Sequence, residues 1–257
     1  MTLNLEKVKK LVPRKKRKAG ERPFCSAVIV AAGSSQRMGN DKIFAALGGL
    51  PVLVRSIRAF EEAGSVDEII VVTREEKLQM VADLIKKYDL GKVSKVIIGG
   101  KTRVESCLAG VSEADHRAEL IAIHDGARPL VSQRIIRDTI RAADEFYAAV
   151  PVVRSTDTLK VLDEKGVVTG SVDRETIFRV QTPQVFRADL IKGALTEAMK
   201  RGLPITDDCS AMELMGIRTH TVEGDEDNLK LTTPRDMVLA EAILKDRGNE
   251  YADRARL

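Results

Sequence analysis

The sequence is poor in several residue types that mark particular protein classes. It contains no tryptophan, only 4% aromatic residues, three cysteines and three histidines in 257 residues. Sparse, widely spaced cysteines argue against a disulfide framework and are typical of a reducing compartment, so we expect a cytoplasmic protein. The cysteines and histidines also show no spacing that would form a zinc site.

Long apolar runs are missing as well. No stretch approaches the 18 residues that a membrane-spanning helix needs, and no apolar signal-peptide core follows the basic N-terminus. We therefore expect no membrane partner. A hydrophobic content of 44% with 31% charged residues suits a globular protein with a sizeable core.

Positive charge is concentrated at the N-terminus. Residues 1–24 hold nine lysines and arginines but two glutamates, and since the whole chain carries +4, residues 25–257 carry −3. Such like-charge blocks are usually solvated, so we expect residues 1–24 to be a disordered basic extension. A nucleic-acid-binding protein is the alternative, but the acidic body and the lack of an RNA-binding motif argue against a nucleic-acid partner.

From Ser26 onward, short apolar runs alternate with amphipathic stretches. The pattern predicts strands at 26–32, 67–73, 95–98, 120–124 and 148–153. It predicts helices at 51–63, 75–88, 103–114, 133–146, 188–201, 207–215 and 234–245. This order is typical of an α/β protein, a Rossmann-like three-layer sandwich with a mostly parallel central sheet.

The alternation is interrupted between residues 154 and 180. Two β-prone runs, Thr158–Leu162 and Val167–Val172, flank a turn-rich spacer and predict a protruding β-hairpin arm. Such an arm serves as a lid or contacts another subunit. The predicted organisation is the extension, a single domain over residues 25–247 with the arm at about 154–180, and a C-terminal tail over 248–257.

Small residues and basic side chains directly follow the first predicted strand. Residues 31–39 read AAGSSQRMG, and Lys42 comes soon after. Backbone N–H groups in such a loop bind phosphate oxygens, and Arg37 and Lys42 supply the charge that a polyphosphate requires. The loop matches neither the P-loop nor the dinucleotide-binding glycine pattern. A turn that merely packs a helix onto the sheet is the alternative, which this Arg-Met pair with its following lysine disfavours.

The A-A-G-x-x-x-R-M pattern with a following lysine resembles the signature of sugar nucleotidyltransferases. Further motifs come in order: GGKTRVES from residue 99, HDGARP from 124, DTLK from 157, QTPQVF from 181, TDDCS from 206 and NLKLTTP from 228. Each alone is explained by a turn or a helix cap. Together, over about residues 25–247, they resemble the methylerythritol-phosphate cytidylyltransferases of non-mevalonate isoprenoid synthesis, although many of those have a second glycine where this loop has serine.

The resemblance implies a homodimer that transfers CMP from CTP to 2-C-methyl-D-erythritol 4-phosphate and uses Mg²⁺ or another divalent cation. It implies nucleotide binding by Ala31, Ala32, Gly33, Arg37, Lys42, Gly100, Lys101, Ser106 and Ala127. It implies substrate binding by Asp125, Arg128, Thr158, Arg174, Thr182, Thr206 and Lys230. Catalysis falls to Arg37, Lys42, Arg174 and Lys230, and metal binding to Asp125 or Asp227. The arm residues Thr158 and Arg174 would serve the neighbouring subunit's site.

Two other functions stay open. A related enzyme that cytidylylates ribitol 5-phosphate would share the fold and the chemistry, since a fold does not fix the substrate. A catalytically inactive nucleotide-binding module would share the phosphate loop, but the presence of both Arg37 and Lys42 argues against it.

Overall fold

An eight-stranded sheet forms the middle layer of the computed structural model, which describes residues 17–18, 20–33, 42–203 and 205–254. The strands of the described chain are β1 (Cys25–Val30), β2 (Ala46–Leu47), β3 (Leu50–Pro51), β4 (Glu68–Thr73), β5 (Val93–Ile98), β6 (Leu120–Asp125), β7 (Ala148–Arg154), β8 (Lys160–Leu162), β9 (Val168–Ser171), β10 (Phe178–Val180), β11 (Gln184–Arg187) and β12 (His220–Glu223). Strands β2 and β3 pair with each other, as do β8 and β9, and both pairs lie outside the central sheet.

The central sheet has the order β10-β7-β11-β6-β1-β4-β5, with β12 also paired to β7. Strands β6, β1, β4 and β5 run parallel to one another, whereas β11 is antiparallel to both β6 and β7. Every residue of β4 and β6 is buried, as a continuous apolar run predicts for a strand that is covered on both faces. The parallel strands therefore end at one common edge of the sheet, here called the carboxyl edge.

Helices cover both faces of the sheet. They are α1 (Val52–Glu61), α2 (Leu78–Lys87), α3 (Arg103–Ser112), α4 (Gln133–Phe146), α5 (Ala188–Arg201), α6 (Asp208–Leu214) and α7 (Pro234–Arg254). Helices α1, α2 and α4 pack into one hydrophobic core, and α3, α5 and α6 pack into a second core on the opposite face. The predicted α/β three-layer sandwich is confirmed. None of these described helices is both long enough and apolar enough to cross a membrane.

Several elements differ from their predicted bounds. The Gln-Thr-Pro motif, interpreted from sequence as a turn, leads through a cis Thr182–Pro183 bond into β11. Neither β11 nor β12 is predicted, because four-residue strands are too short to show a period. Helix α7 continues to Arg254, so the predicted C-terminal tail begins inside a helix.

The predicted hairpin arm is confirmed as the antiparallel pair β8 and β9. Its apolar side chains face outward: Val161, Leu162, Val167 and Val168 are each about half exposed. Exposed apolar side chains clustered on one element are typical of a surface that contacts another protein.

Part of the basic extension contacts the body of the protein. Arg17 donates to both carboxylate oxygens of Asp144 at 2.8 Å and to Glu119 at 3.0 Å. Arg22 donates to both oxygens of Asp67 at 2.6 and 2.7 Å. The predicted disorder of the extension otherwise concerns residues 1–16 and 19, which lie outside the described residues.

Helix α3 approaches the sheet closely through a glycine. A Cβ added to Gly110 would lie 2.3 Å from Val28 Cγ1 and 2.9 Å from Val72 Cγ2. Real Cβ atoms do not come so close to other carbon atoms, so the helix can sit at this depth because residue 110 has no side chain.

We expect Gly110→Ala to lower the free energy of unfolding by about 1–3 kcal/mol through overpacking, although alanine favours helix. Gly193→Ala in α5 is the matched control, since no described atom beyond the chain neighbours and the helix's own backbone lies within 4 Å of its added Cβ. The control should raise the free energy of unfolding by about 0.5–1 kcal/mol. Urea unfolding measures both, and a Gly110→Ala midpoint at or above that of the unchanged protein would contradict the packing.

Candidate active site

A cleft of about 430 Å³ opens at the carboxyl edge of the sheet, beside the ends of β1 and β6. Ligands bind at this position in open α/β sheets. Eight of the nine predicted nucleotide-binding residues line it: Ala31, Ala32, Gly33, Lys42, Gly100, Lys101, Ser106 and Ala127. The ninth, Arg37, lies outside the described residues.

The backbone after β1 is tied to the neighbouring strands. The N–H of Ala31 donates to the carbonyl of Val72 at 2.7 Å, and the N–H of Gly126 donates to the carbonyl of Val30 at 2.9 Å. These bonds hold the start of the loop against β4 and against the turn after β6. The floor of the cleft is therefore backbone in a fixed position, which a phosphate-binding loop requires.

The second wall of the cleft starts after β5. A Cβ on Gly99 would lie 2.7 Å from Ala32 Cβ, so the two loops meet where a side chain cannot fit. Thr102 caps α3 by accepting the N–H of Glu105 at 3.2 Å, and the Glu105 carboxylate accepts the N–H of Lys101 at 2.6 Å. This arrangement is a variant of the capping box, in which the carboxylate accepts the N–H of Lys101, one residue before the capping Thr102. It fixes the backbone of Lys101 at the cleft.

Asp125 is the centre of charge in the cleft. Its Oδ2 atom lies 2.9 Å from Lys230 Nζ and 3.5 Å from Arg128 Nε. Burial alone raises the pKa of Asp125, but the positive charges of Lys230, Arg103 and Arg128 outweigh it and lower the pKa to about 2. The carboxylate is thus ionised at any physiological pH.

Cations outnumber anions in the cleft. Among the described residues that line it, Asp125 is the only acidic side chain, whereas Lys42, Lys101, Arg103 and Lys230 are basic. A surplus of fixed positive charge suits a polyphosphate ligand. The described residues contain no group of three or more His, Cys, Asp or Glu side chains that could hold a metal ion by themselves.

The structure does not bring every predicted site residue to the cleft. Asp227 lines a different cavity, where its carboxylate accepts from Arg247 at 3.2 Å. Thr158 and Arg174 lie exposed near the arm, and neither lines the cleft of its own chain. Thr206 is exposed, with its hydroxyl 3.3 Å from that of Ser210.

His124 has a structural role that the sequence analysis missed. The ring is fully buried, with Nε2 3.1 Å from the Arg128 carbonyl and Nδ1 3.0 Å from the Thr182 hydroxyl. A carbonyl only accepts, so Nε2 carries the proton and Nδ1 accepts from Thr182. The Thr182 hydroxyl in turn accepts the N–H of Asp125 at 3.1 Å. This chain of hydrogen bonds fixes Asp125, Arg128 and Thr182 relative to one another.

Arg103 also lines the cleft, and the sequence analysis assigned it no role. It donates to Asp208 from two nitrogens. Its place within the GGKTRVES motif, directly after the capping threonine, was the available signal. The partner aspartate is 105 residues away in sequence and had no signal linking it to this arginine.

Comparison with known proteins gives consistent results. Residues 25–246 match the sequence model of the family described as IspD, 2-C-methyl-D-erythritol 4-phosphate cytidylyltransferase. A protein of that name from Caldanaerobacter subterraneus subsp. tengcongensis is 43% identical over 223 residues, which are 86% of this chain and 98% of the relative. Another from Clostridium novyi is 40% identical over 223 residues, which are 86% and 96% of the two chains.

Solved structures agree with the sequence comparison. The crystal structure of a 4-diphosphocytidyl-2C-methyl-D-erythritol synthase from Anaerococcus prevotii superposes with a TM-score of 0.78 and 32% identity, over 87% of this chain and 96% of that one. A 2-C-methyl-D-erythritol 4-phosphate cytidylyltransferase from Thermus thermophilus superposes with a TM-score of 0.69 and 30% identity, over 87% and 99% of the two chains.

The buried imidazole makes stability depend on pH in a defined window. Burial lowers the pKa of His124 to about 4, whereas the unfolded chain protonates the ring below about pH 6.5. The unfolded state therefore binds the extra proton between these values. Above pH 6.5 the ring is neutral in the folded and the unfolded state, so its titration does not affect the free energy of unfolding. As the pH drops from 6.5 to 4, the free energy of unfolding falls by about 3 kcal/mol.

We expect His124→Asn to be less stable at pH 7 but to lose less stability than the unchanged protein between pH 7 and pH 4. Urea unfolding at both pH values measures the difference. His116→Asn is the control for loss of an imidazole, because that side chain is 92% exposed and its removal should change the stability at pH 7 little. An equal decline in the His124→Asn variant would mean that the ring is not held neutral.

Proposed function

The chain belongs to the family of 2-C-methyl-D-erythritol 4-phosphate cytidylyltransferases, and we propose that the cleft at the carboxyl edge of its sheet is the active site. The protein is a nucleotidyltransferase of non-mevalonate isoprenoid synthesis. It joins the CMP of CTP to methylerythritol phosphate, giving 4-diphosphocytidyl-2-C-methylerythritol and pyrophosphate. One observation carries the site assignment: every predicted nucleotide-binding residue in the described chain lines this cleft.

CTP would lie between the two loops that form the cleft. The backbone of Ala31–Gly33, with Lys42 and Arg37, would hold the triphosphate, because N–H groups and cations bind phosphate oxygens. Gly100, Lys101 and Ser106 would contact the cytosine or the ribose from the second loop. Ala127 would close the nucleotide site from the turn after β6.

A divalent cation fits one position in this arrangement. Mg²⁺ is usually held by one or two carboxylates together with substrate phosphates and water. Asp125 is the only acidic side chain among the described residues that line the cleft, it is ionised, and we propose it as the protein ligand. The bound cation supplies charge neutralisation at the phosphates. Asp227, which pairs with Arg247 in another cavity, takes no part in this proposal.

The chemistry needs charge and position more than proton transfer. An oxygen of the substrate's 4-phosphate attacks the α-phosphorus of CTP in line, the new P–O bond forms, and pyrophosphate leaves with the electrons of the broken bond. A phosphate monoester has a second pKa of about 6, so it is already ionised at neutral pH and requires no general base. Arg37, Lys42, Arg174 and Lys230 would stabilise the developing negative charge.

The substrate site would need the arm of a second subunit. Arg128, Thr206 and Lys230 of one chain would surround the substrate phosphate. Thr182, also predicted to bind substrate, is buried and donates its hydroxyl to His124, so it would act by holding Asp125 in place. Arg174 is 64% exposed and stands away from the cleft of its own chain. We therefore propose a homodimer in which Thr158 and Arg174 reach the neighbour's site, and in which the apolar arm residues are covered.

A cytoplasmic location agrees with the state of the cysteines. Cys25, Cys107 and Cys209 are all buried free thiols. Burial raises the pKa of Cys25 to about 12, which makes its thiol unreactive.

Pyrophosphate release tests the function. The purified protein is incubated with CTP, Mg²⁺ and methylerythritol phosphate, and parallel samples contain ribitol 5-phosphate, or UTP or ATP in place of CTP. We expect release only with CTP and methylerythritol phosphate. Pyrophosphate release with ribitol 5-phosphate instead would support the proposed mechanism with a different substrate. No release in any sample would contradict the proposed activity.

Mixing two inactive variants tests the shared site. Lys42→Ala removes a cation from the chain's own cleft, and Arg174→Ala removes one that would act in the neighbour's cleft, so each homodimer should be nearly inactive. After mixing and subunit exchange, mixed dimers would contain one intact site, and activity should return to about a quarter of the unchanged level. Failure to recover activity, with exchange verified by mass spectrometry, would contradict an arm acting on the neighbouring subunit.

A further inference from the structure

An ion pair joins the start of α3 to the start of α6. Arg103 Nη1 lies 2.8 Å from Asp208 Oδ1, and Arg103 Nη2 lies 2.6 Å from Asp208 Oδ2. The Asp208 side chain is fully buried, whereas the Arg103 side chain is 27% exposed and lines the cleft. Two parallel N–H···O bonds of this kind fix orientation as well as distance.

On the arginine side, the pair is attached to the second loop of the cleft. Arg103 directly follows Thr102, which forms the capping box with Glu105 and so holds the backbone of Lys101. We call residues Gly100–Ser106 the nucleotide wall. A shift of the Arg103 guanidinium is therefore transmitted to the backbone that faces CTP.

On the aspartate side, the pair is attached to a second hydrogen-bonded unit. Gln184 accepts the N–H of Asp208 at 3.0 Å and donates to the Asp207 carboxylate at 3.0 Å. Asp207 caps α6 by accepting the N–H of Ser210 at 3.0 Å. We call residues Thr206–Ser210 the substrate wall, since Thr206 is proposed to contact the substrate phosphate.

We infer that Arg103 and Asp208 are positioning residues that fix the distance between the nucleotide wall and the substrate wall, so that each wall affects the ligand of the other. This inference rests on the proposed function, because it takes the two walls as the sites of CTP and of the substrate phosphate. In-line attack between two bound substrates depends on their relative placement at the level of an ångström.

The pair is suited to positioning more than to stability. Removing two charges from water costs nearly as much as their attraction returns, so a buried ion pair adds little net stability. Burial alone lowers the pKa of the Arg103 guanidinium, but the charge of Asp208 raises it above its ordinary value, so the arginine stays charged. Lysine would keep the charge and lose the two-pronged geometry.

The test measures the effect of each change on the ligand of the opposite wall. Asp208→Asn alters the substrate wall, and we expect it to raise the Michaelis constant for CTP about tenfold, although no residue of that wall is proposed to contact CTP. Arg103→Lys alters the nucleotide wall and should raise the constant for methylerythritol phosphate by a similar factor. The double variant should be no worse than the poorer single variant, since both changes break one link.

A matched control separates positioning from a general loss of stability. Asp67→Asn breaks another two-bond Arg–Asp pair, formed with Arg22 at the opposite edge of the sheet. It should lower the unfolding temperature and leave both Michaelis constants unchanged. Because Arg103→Lys retains the charge, it provides the measurement if Asp208→Asn does not fold.

Two results would overturn the inference. One is a Michaelis constant for the opposite wall's ligand that stays within twofold of the unchanged protein. The other is a Michaelis constant for CTP that rises in Arg103→Lys but stays unchanged in Asp208→Asn. That result would mean that Arg103 binds CTP directly. Equilibrium dialysis of CTP against the Asp208→Asn variant needs no turnover. It therefore tests the inference even if pyrophosphate release shows that the proposed function is wrong.

Discussion

The ion pair between Lys230 and Asp125 is the interaction on which the cleft depends. A site that binds a polyanion must hold several cations close together before the ligand arrives, and those cations repel one another. Asp125 offsets this repulsion, and the pair joins two segments that are 105 residues apart in the sequence. Two further bonds support the same junction, from Arg128 to the Asn228 carbonyl at 2.6 Å and from the Leu231 N–H to the Ala127 carbonyl at 2.9 Å.

The polar groups around Asp125 are fixed by the protein itself. Both nitrogens of the neutral His124 ring have hydrogen-bond partners within the protein. The capping box of α3 fixes the backbone of the opposite loop. Groups held in this way need not reorganise when negative charge develops on a phosphate. Such preorganised charge is the main source of transition-state stabilisation in enzymes that transfer phosphoryl groups. Positioning and charge thus replace a general base in this site.

Local sequence signals account for most of the fold. Helices α4 and α5 lie at their predicted bounds because Ser132 caps the first and Gly202 ends the second with positive φ. The motifs likewise predicted ten of the fourteen described residues that line the cleft, but not Val30, Ile43, Thr102 or Arg103. Strand β11 was missed because it is four residues long and buried throughout, so it shows no alternation. The pair of Arg103 and Asp208 was missed because contacts made by tertiary packing leave no periodic pattern in the chain.

The ion pairs of Arg17 and Arg22 attach the described part of the basic extension to one face of the molecule. Arg17 and Arg22 bind Glu119 and Asp67, which lie just before the starts of strands, at the edge opposite the cleft. Strand β1 alone separates the two edges by roughly 17 Å. A bead or a fluorophore joined to the exposed side chain of Lys18, beside Arg17, would therefore be attached on the far side of the sheet. Immobilised in this way, the protein would present its cleft to the solution, which is the orientation that a surface-based binding sensor requires.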